Sequence, residues 1–160
     1  MEELPDELAK ARQYALKLLS YRSYSIGEFR QRLQRKGFSP DTIGRIIPAM
    51  VEYGYLNDEA YARSLIELLI DRRSYGSRRL LQEMLSRGID AGLALKLLSE
   101  ISADQEFERA LSLAKKKMPS MSRLDRSKVY RRMASFLLRK GYPTDVSRRV
   151  LEEILPPRGW

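Results

Sequence analysis

The side chains of this chain that could do chemistry are cations, and their grouping suits phosphate recognition. Lys115, Lys116 and Lys117 are consecutive, and Lys128, Arg132, Ser135 and Arg139 follow at steps of four, three and four, with Arg131 and Lys140 beside them. On a helix such steps draw one line along a face. No acidic residue interrupts 126–140. Two smaller groups precede these: Arg32, Arg35 and Lys36, then Arg78 and Arg79. Lines of guanidinium and ammonium groups neutralise polyanion phosphates and displace their counterions. The simpler readings are a solvated face for the line and compensation of the helix dipole for groups near helix ends.

Catalysis has little to build on. The chain has no cysteine and no histidine, so it lacks thiolate ligands and the usual general base. It holds no Gly-x-x-x-x-Gly-Lys phosphate loop. The acids are spread one or two to a helix, which disfavours a carboxylate magnesium site. Asn57-Asp58-Glu59 reads as a helix cap followed by first-turn acids. The expectation is a protein that is no enzyme and takes no metal or cofactor. The net charge of +9 is uneven: residues 1–57 carry +2, 58–103 carry 0 and 104–160 carry +7. That asymmetry points to nucleic acid as a partner. No signal peptide or long apolar run is visible, so the expectation is a soluble cytoplasmic protein with no membrane partner.

The elements that must position these cations repeat. Arg22-Ser23-Tyr24 leads to Lys36-Gly37-Phe38, and 51 residues on Arg73-Ser74-Tyr75 leads to Arg87-Gly88-Ile89. A weaker third copy runs from Arg126-Ser127 to Lys140-Gly141-Tyr142 at an offset of 53. Four residues before each glycine stand Leu33, Met84 and Leu137, and eight before stand Phe29, Leu80 and Met133. Apolar residues return nine to thirteen positions after it: Ile46, Ile47 and Met50, then Leu97, Leu98 and Ile101, then Val150, Leu151 and Ile154. These are one-sided helical spacings on both sides of a glycine stop. The fold class expected is all-α, a tandem repeat of three three-helix modules in an elongated monomer. The modules are 1–57, 58–103 and the basic 104–155, with 156–160 a non-helical tail.

Within this plan Ser25-Ile26-Gly27-Glu28 predicts a capping box and Ser39-Pro40 a cap with a first-turn proline. Pro48 should bend its helix. A loop is expected at 119–123, and Tyr61, Leu65, Leu68 and Leu69 are expected to share one face. In the basic helix, Val129, Met133, Phe136 and Leu137 form the buried stripe. Arg22, Arg73 and Arg126 share one register position, suited to donating to helix-end carbonyls. Tyr24 and Tyr75 read first as packing aromatics, with base stacking the alternative. Glu100 and Glu106 are acids at which a charge exchange should matter little.

The run Leu18-Leu19-Ser20-Tyr21-Arg22-Ser23-Tyr24-Ser25 with Glu28-Phe29, closing at Leu33 and Lys36-Gly37, resembles the opening of the RecX family. Tyr53-Gly54-Tyr55-Leu56-Asn57-Asp58 with Tyr61-Ala62 resembles its first inter-repeat junction, and Arg73-Ser74-Tyr75-Gly76 to Arg87-Gly88-Ile89 its second repeat. The likeness spans about residues 11–155, and the third repeat departs most, with lysine after Arg126-Ser127. The resemblance implies a bacterial regulator of the RecA recombinase that binds the RecA filament on single-stranded DNA and limits ATP hydrolysis and strand exchange. It implies tandem three-helix repeats and no catalysis. Two other readings stay open: a helix-turn-helix regulator of duplex DNA, and a single-strand binder acting alone. The first is disfavoured because 42–50 offers only Thr42 and Arg45 for reading bases.

Overall fold

The computed structural model describes residues 3–156, so 157–160 of the expected tail lie outside the described residues. Among the described residues there are nine α-helices and no strand. They are α1 (Glu3–Tyr21), α2 (Ile26–Lys36), α3 (Pro40–Glu52), α4 (Asp58–Arg73), α5 (Ser77–Ser86), α6 (Ala91–Ser99), α7 (Ala103–Lys117), α8 (Arg126–Lys140) and α9 (Thr144–Ile154). None is long and apolar enough to cross a membrane. Each consecutive trio encloses its own core. Ala11, Phe29, Leu33, Ile46 and Met50 centre the first, Ala62, Leu80, Met84 and Leu97 the second, and Ala114, Met133, Leu137 and Val150 the third. The six residues placed four and eight before the repeat glycines are all fully buried. Truncating any one of them to alanine (methionine included) should cost about 2–5 kcal/mol.

Local signals start and stop the helices much as the residue types dictate. Ser25 caps α2 in a complete capping box with Glu28, and Ser39 caps α3 ahead of Pro40. Asn57 caps α4, Asp90 caps α6, Ser102 caps α7 and Asp125 caps α8. Gly37 and Gly141 end α2 and α8 in the left-handed conformation, at φ 99° and 94°. Arg126 donates to the Leu155 carbonyl at the end of α9, the helix-end role read from its register, whereas Arg22 donates to the Ser23 carbonyl in the connection between α1 and α2 and Arg73 is exposed.

Pro48 lies inside α3, which continues from Pro40 to Glu52 around it. One expectation needs correction. Residues 119–123 are not plain loop: Met118–Met121 form a 3₁₀ turn that buries Met121 against the third core. Leu68 of α4 is 46% exposed, and the buried positions of that helix are Ala62, Leu65 and Ile66. Tyr61, Leu65 and Leu68 instead line a cleft between the first and second modules, so α4 presents apolar residues on two faces.

Consecutive modules dock through their middle helices, end to end. At the first junction the Ser25 hydroxyl donates to the Arg87 carbonyl at the end of α5, and the Ile26 amide donates to Asp58 Oδ1 at 2.8 Å. At the second, the Gly76 and Arg78 amides at the start of α5 donate to the carbonyls of Lys140 and Gly141 at 2.8 and 2.9 Å. The Ser77 amide donates to buried Glu106 at 2.7 Å, and the Tyr142 hydroxyl donates to the Ser74 carbonyl at 2.6 Å. Amide-rich helix starts thus meet carbonyl-rich helix ends, which satisfies backbone groups that each helix leaves orphaned. The approach is close enough to require glycine. A Cβ on Gly76 would stand 2.6 Å from backbone atoms of Gly141 and Tyr142, whereas at Gly37, the register equivalent of Gly141, a Cβ would meet nothing within 4 Å. Glu106 is therefore a junction acceptor and not an inert surface acid, because it holds the first amide of α5.

Candidate nucleic-acid interface

The docking of α5 on α8 brings together cations that are far apart in sequence. Tyr75 precedes α5, Phe136 lies on α8, and both are half-buried. Lys140 Nζ sits 5.7 Å from the Tyr75 ring centre and 6.0 Å from that of Phe136. Arg79 lies 5.0 Å over the other part of the site at Tyr75, and Lys117 of α7 lies 5.2 Å from Phe136. Lys117, Phe136, Lys140, Tyr75 and Arg79 form a continuous chain of cation–ring contacts across the second junction. Each such contact contributes about 0.5–1 kcal/mol at exposed sites, enough to orient a long side chain while leaving its charge toward water. Lys140 also donates to the Arg73 carbonyl at 3.0 Å, which fixes its ammonium group over the junction.

Beside this chain the line on α8 faces solvent. Lys128, Arg131, Arg132, Ser135 and Arg139 are all exposed, opposite buried Val129, Met133 and Leu137. Among the described residues no ion pair engages Lys128, Arg131, Arg132 or Arg139. Lys115 and Lys116 are exposed on the last turn of α7, and Arg78 is exposed at the start of α5. Arg79 is partly neutralised by Glu83 at 3.5 Å.

Arg32, Arg35 and Lys36 stand apart from this surface. They are exposed on α2 of the first module, where Arg32 lies 6.0 Å from the Tyr24 ring and Lys36 lies 5.3 Å from Tyr14. The register explains the separation. A cation at the end of a middle helix reaches the preceding module, and among the described residues α2 is the first middle helix.

The two junctions differ in charge at one register position. Arg79 of the second aligns with Glu28 of the first. Glu28 accepts from the Tyr61 hydroxyl at 2.7 Å and from Arg22 at 3.1 Å, and Arg87 donates to Tyr61 at 3.3 Å. Burial alone would raise the Glu28 pKa, but the hydrogen bonds from Tyr61 and Arg22 hold it below the ordinary 4.5, so the first junction carries a carboxylate. The second junction carries a third cation there instead. Sequence reasoning treated Phe136 purely as core and did not foresee its place under Lys117 and Lys140. The Glu28–Arg79 alignment was the available signal for the charge difference.

Thr42 is fully buried in the first core. Of the two base-reading candidates in α3 only Arg45 is exposed. Among the described residues no cluster of three or more potential metal-ligating side chains occurs.

Three family models match the chain in order: the first three-helix domain of RecX over residues 11–47, the second over 57–98 and the third over 104–151. Regulatory protein RecX of Clostridioides difficile is 30% identical over 153 residues, covering 95% of this chain and 72% of that one. Regulatory protein RecX of Trichlorobacter lovleyi is 33% identical over 141 residues, covering 87% and 92%. The crystal structure of RecX from Lactobacillus salivarius shares the fold, with a TM-score of 0.88 at 24% identity over 94% of this chain and 98% of that one.

Proposed function

The chain belongs to the RecX family, and we propose that it acts as a monomeric regulator that binds the RecA filament on single-stranded DNA and restrains ATP hydrolysis and strand exchange. The DNA-facing surface in this reading is the second junction with the adjoining face of α8. The observation that carries it is the convergence of Lys117, Lys140 and Arg79 on two aromatic rings, next to the exposed line of Lys128, Arg132 and Arg139. Linked modules meeting a partner that repeats along its length gain avidity without any single tight site. Relatives that bear the name regulatory protein support a role without catalysis of its own.

The test is a titration into RecA, single-stranded DNA and ATP, read by ATP hydrolysis and by filament binding at several salt concentrations. Each single-strand phosphate contact contributes about 0.7 to the slope of log affinity against log salt. Arg132→Glu with Arg139→Glu should therefore weaken binding and lower the slope by about 1.4 or more. Both side chains are exposed, so circular dichroism should show the fold intact. Glu100→Lys is the appropriate charge control, since Glu100 pairs with Arg63 on the surface of the second module. Normal binding by the double variant at physiological salt would reduce the α8 line to a solvated face.

A further inference from the structure

The cleft at the first junction is a separate cavity of about 430 Å³, within the range of small-ligand pockets. Its floor is the second apolar face of α4, formed by Tyr61, Ser64, Leu65 and Leu68. Its walls include Tyr24, Tyr55 and the guanidinium groups of Arg22 and Arg87. Leu68 at 46% and Tyr55 at 54% exposure are large apolar surfaces that the fold leaves uncovered here. The rim continues in kind: Tyr21 and Tyr53, at 74% and 73% exposure, are the chain neighbours of wall residues Arg22 and Gly54.

The charges of the cleft are arranged for an anion next to a flat ring. Of the carboxylates at this junction, Glu28 is engaged by Tyr61, Arg22 and the Ser25 amide, and Asp58 by the Ile26 amide. Arg22 Cζ stands 3.7 Å from the Tyr24 ring centre with one N–H each on Ser23 and Glu28, and Arg87 spends one N–H on Tyr61, so each guanidinium, with five donors, keeps N–H groups for a ligand. Arg22 and Arg87 line the cleft whereas Glu28 and Asp58 do not, so cationic donors face a ligand, and tyrosine rings supply stacking faces. An acidic peptide would use the cations but not the rings, and a purely apolar segment would leave the cations unpaired.

We propose that this cleft is a nucleotide subsite: one base stacks on Tyr55 above the α4 face, and its phosphate is held by Arg87 and Arg22. The inference rests on the proposed nucleic-acid role but uses a different junction from the α8 surface. The same chemistry is offered by a free nucleotide or by one unit of a single strand.

Two variants test it in the full-length chain. Tyr55→Ala removes the exposed ring, and Ser64→Trp fills the cleft from an exposed helix position. The probes are thymidine monophosphate and an oligothymidylate carrying 5-iododeoxyuridine for photo-crosslinking, with sites mapped by mass spectrometry. Crosslinks at Tyr55 or Tyr61, and a loss of strand affinity of about five-fold or more in both variants, are expected from the loss of one stacked base. Binding of the monophosphate lost in both variants would assign the free nucleotide as ligand, and strand binding alone would assign the polymer unit. Unchanged strand and monophosphate binding in both variants overturns the subsite. If only binding to the RecA-coated strand falls, the cleft takes protein and the nucleotide assignment is likewise overturned. Arg132→Glu with Arg139→Glu, run in parallel, separates the failures: that pair reports on the α8 surface, and Tyr55→Ala reports on the cleft.

Discussion

Replacing Gly76 with alanine should loosen the second and third modules without touching either core. Gly76 has φ −83° and ψ 173°, a backbone that alanine adopts freely, so left-handed strain plays no part. The obstacle is the 2.6 Å separation that its Cβ would have from Gly141 and Tyr142 backbone, where ordinary contact begins near 3.4 Å. Relief by about 0.8 Å would stretch the Gly76-to-Lys140 and Arg78-to-Gly141 hydrogen bonds, now 2.8 and 2.9 Å, beyond useful length. Two net hydrogen bonds amount to about 1–3 kcal/mol. Alanine recovers about 0.4–1 kcal/mol by restricting the unfolded chain. The expected net loss is therefore about 1.3 kcal/mol at the centre of these ranges, read as a fall in the urea midpoint. Exchange of the amides at 76 and 78 should accelerate with it. Gly76→Ser separates this clash from helix capping, because serine is the better N-cap yet carries the same Cβ. It too should destabilise. Gly44→Ala, in α3 with nothing within 4 Å, should instead stabilise by about 0.5–1 kcal/mol. Parent-like stability of Gly76→Ala with both amides still protected would refute the close docking. It would also remove the geometric basis for Lys140, Arg79 and Lys117 meeting at one surface.

Two further outcomes follow from the junctions. The Glu28 pKa lies below 4.5 in the folded protein, so between the folded and unfolded values the unfolded chain holds more protons and stability falls as pH drops. Asp58, raised by burial despite its bond from Ile26, works in the opposite sense; Tyr61, Arg22 and Arg87 face Glu28, and Arg30 faces Asp58. Glu28→Gln should therefore flatten the loss of stability below pH 4.5, and an unchanged slope in urea midpoints measured from pH 3 to 6 would refute the assignment. The middle helices, of 11, 10 and 15 residues, provide about 54 Å of helix joined end to end. Small-angle scattering should give a longest dimension of about 60–80 Å, and a radius of gyration near 15 Å, as for a compact sphere of this length, would rule it out.

The cores were legible in the sequence because they depend on periodicity. Phe29, Leu33, Leu80, Met84, Met133 and Leu137 repeat at fixed distances from a glycine, and burial follows from the helical period alone. The caps at Ser25, Ser39 and Asn57 were legible for a similar reason, since a short polar side chain before a helix has one nearby amide to satisfy. The candidate interface was legible only in its parts. Lys115–Lys117, Arg78, Arg79 and the α8 line could be named from charge, but their meeting depends on backbone carbonyls at Lys140 and Gly141 that carry no side-chain signature. Leu68 was legible as part of an apolar face, but its exposure was not. A period-3.6 stripe says that a face is apolar, but not whether a core or a neighbouring module lies opposite. Once α2 and α5 dock end to end, α4 must border both modules, and the stripe through Tyr61, Leu65 and Leu68 opens onto the cleft between them. Repeat proteins make this ambiguity general, because each unit needs one apolar surface for itself and another for its neighbour or its ligand. Glu28 and Arg79 show how much one substitution within such a frame can decide. At the same register position a carboxylate bound by Tyr61 and Arg22 moderates the charge of the first junction, and a guanidinium over Tyr75 makes the second a cationic surface.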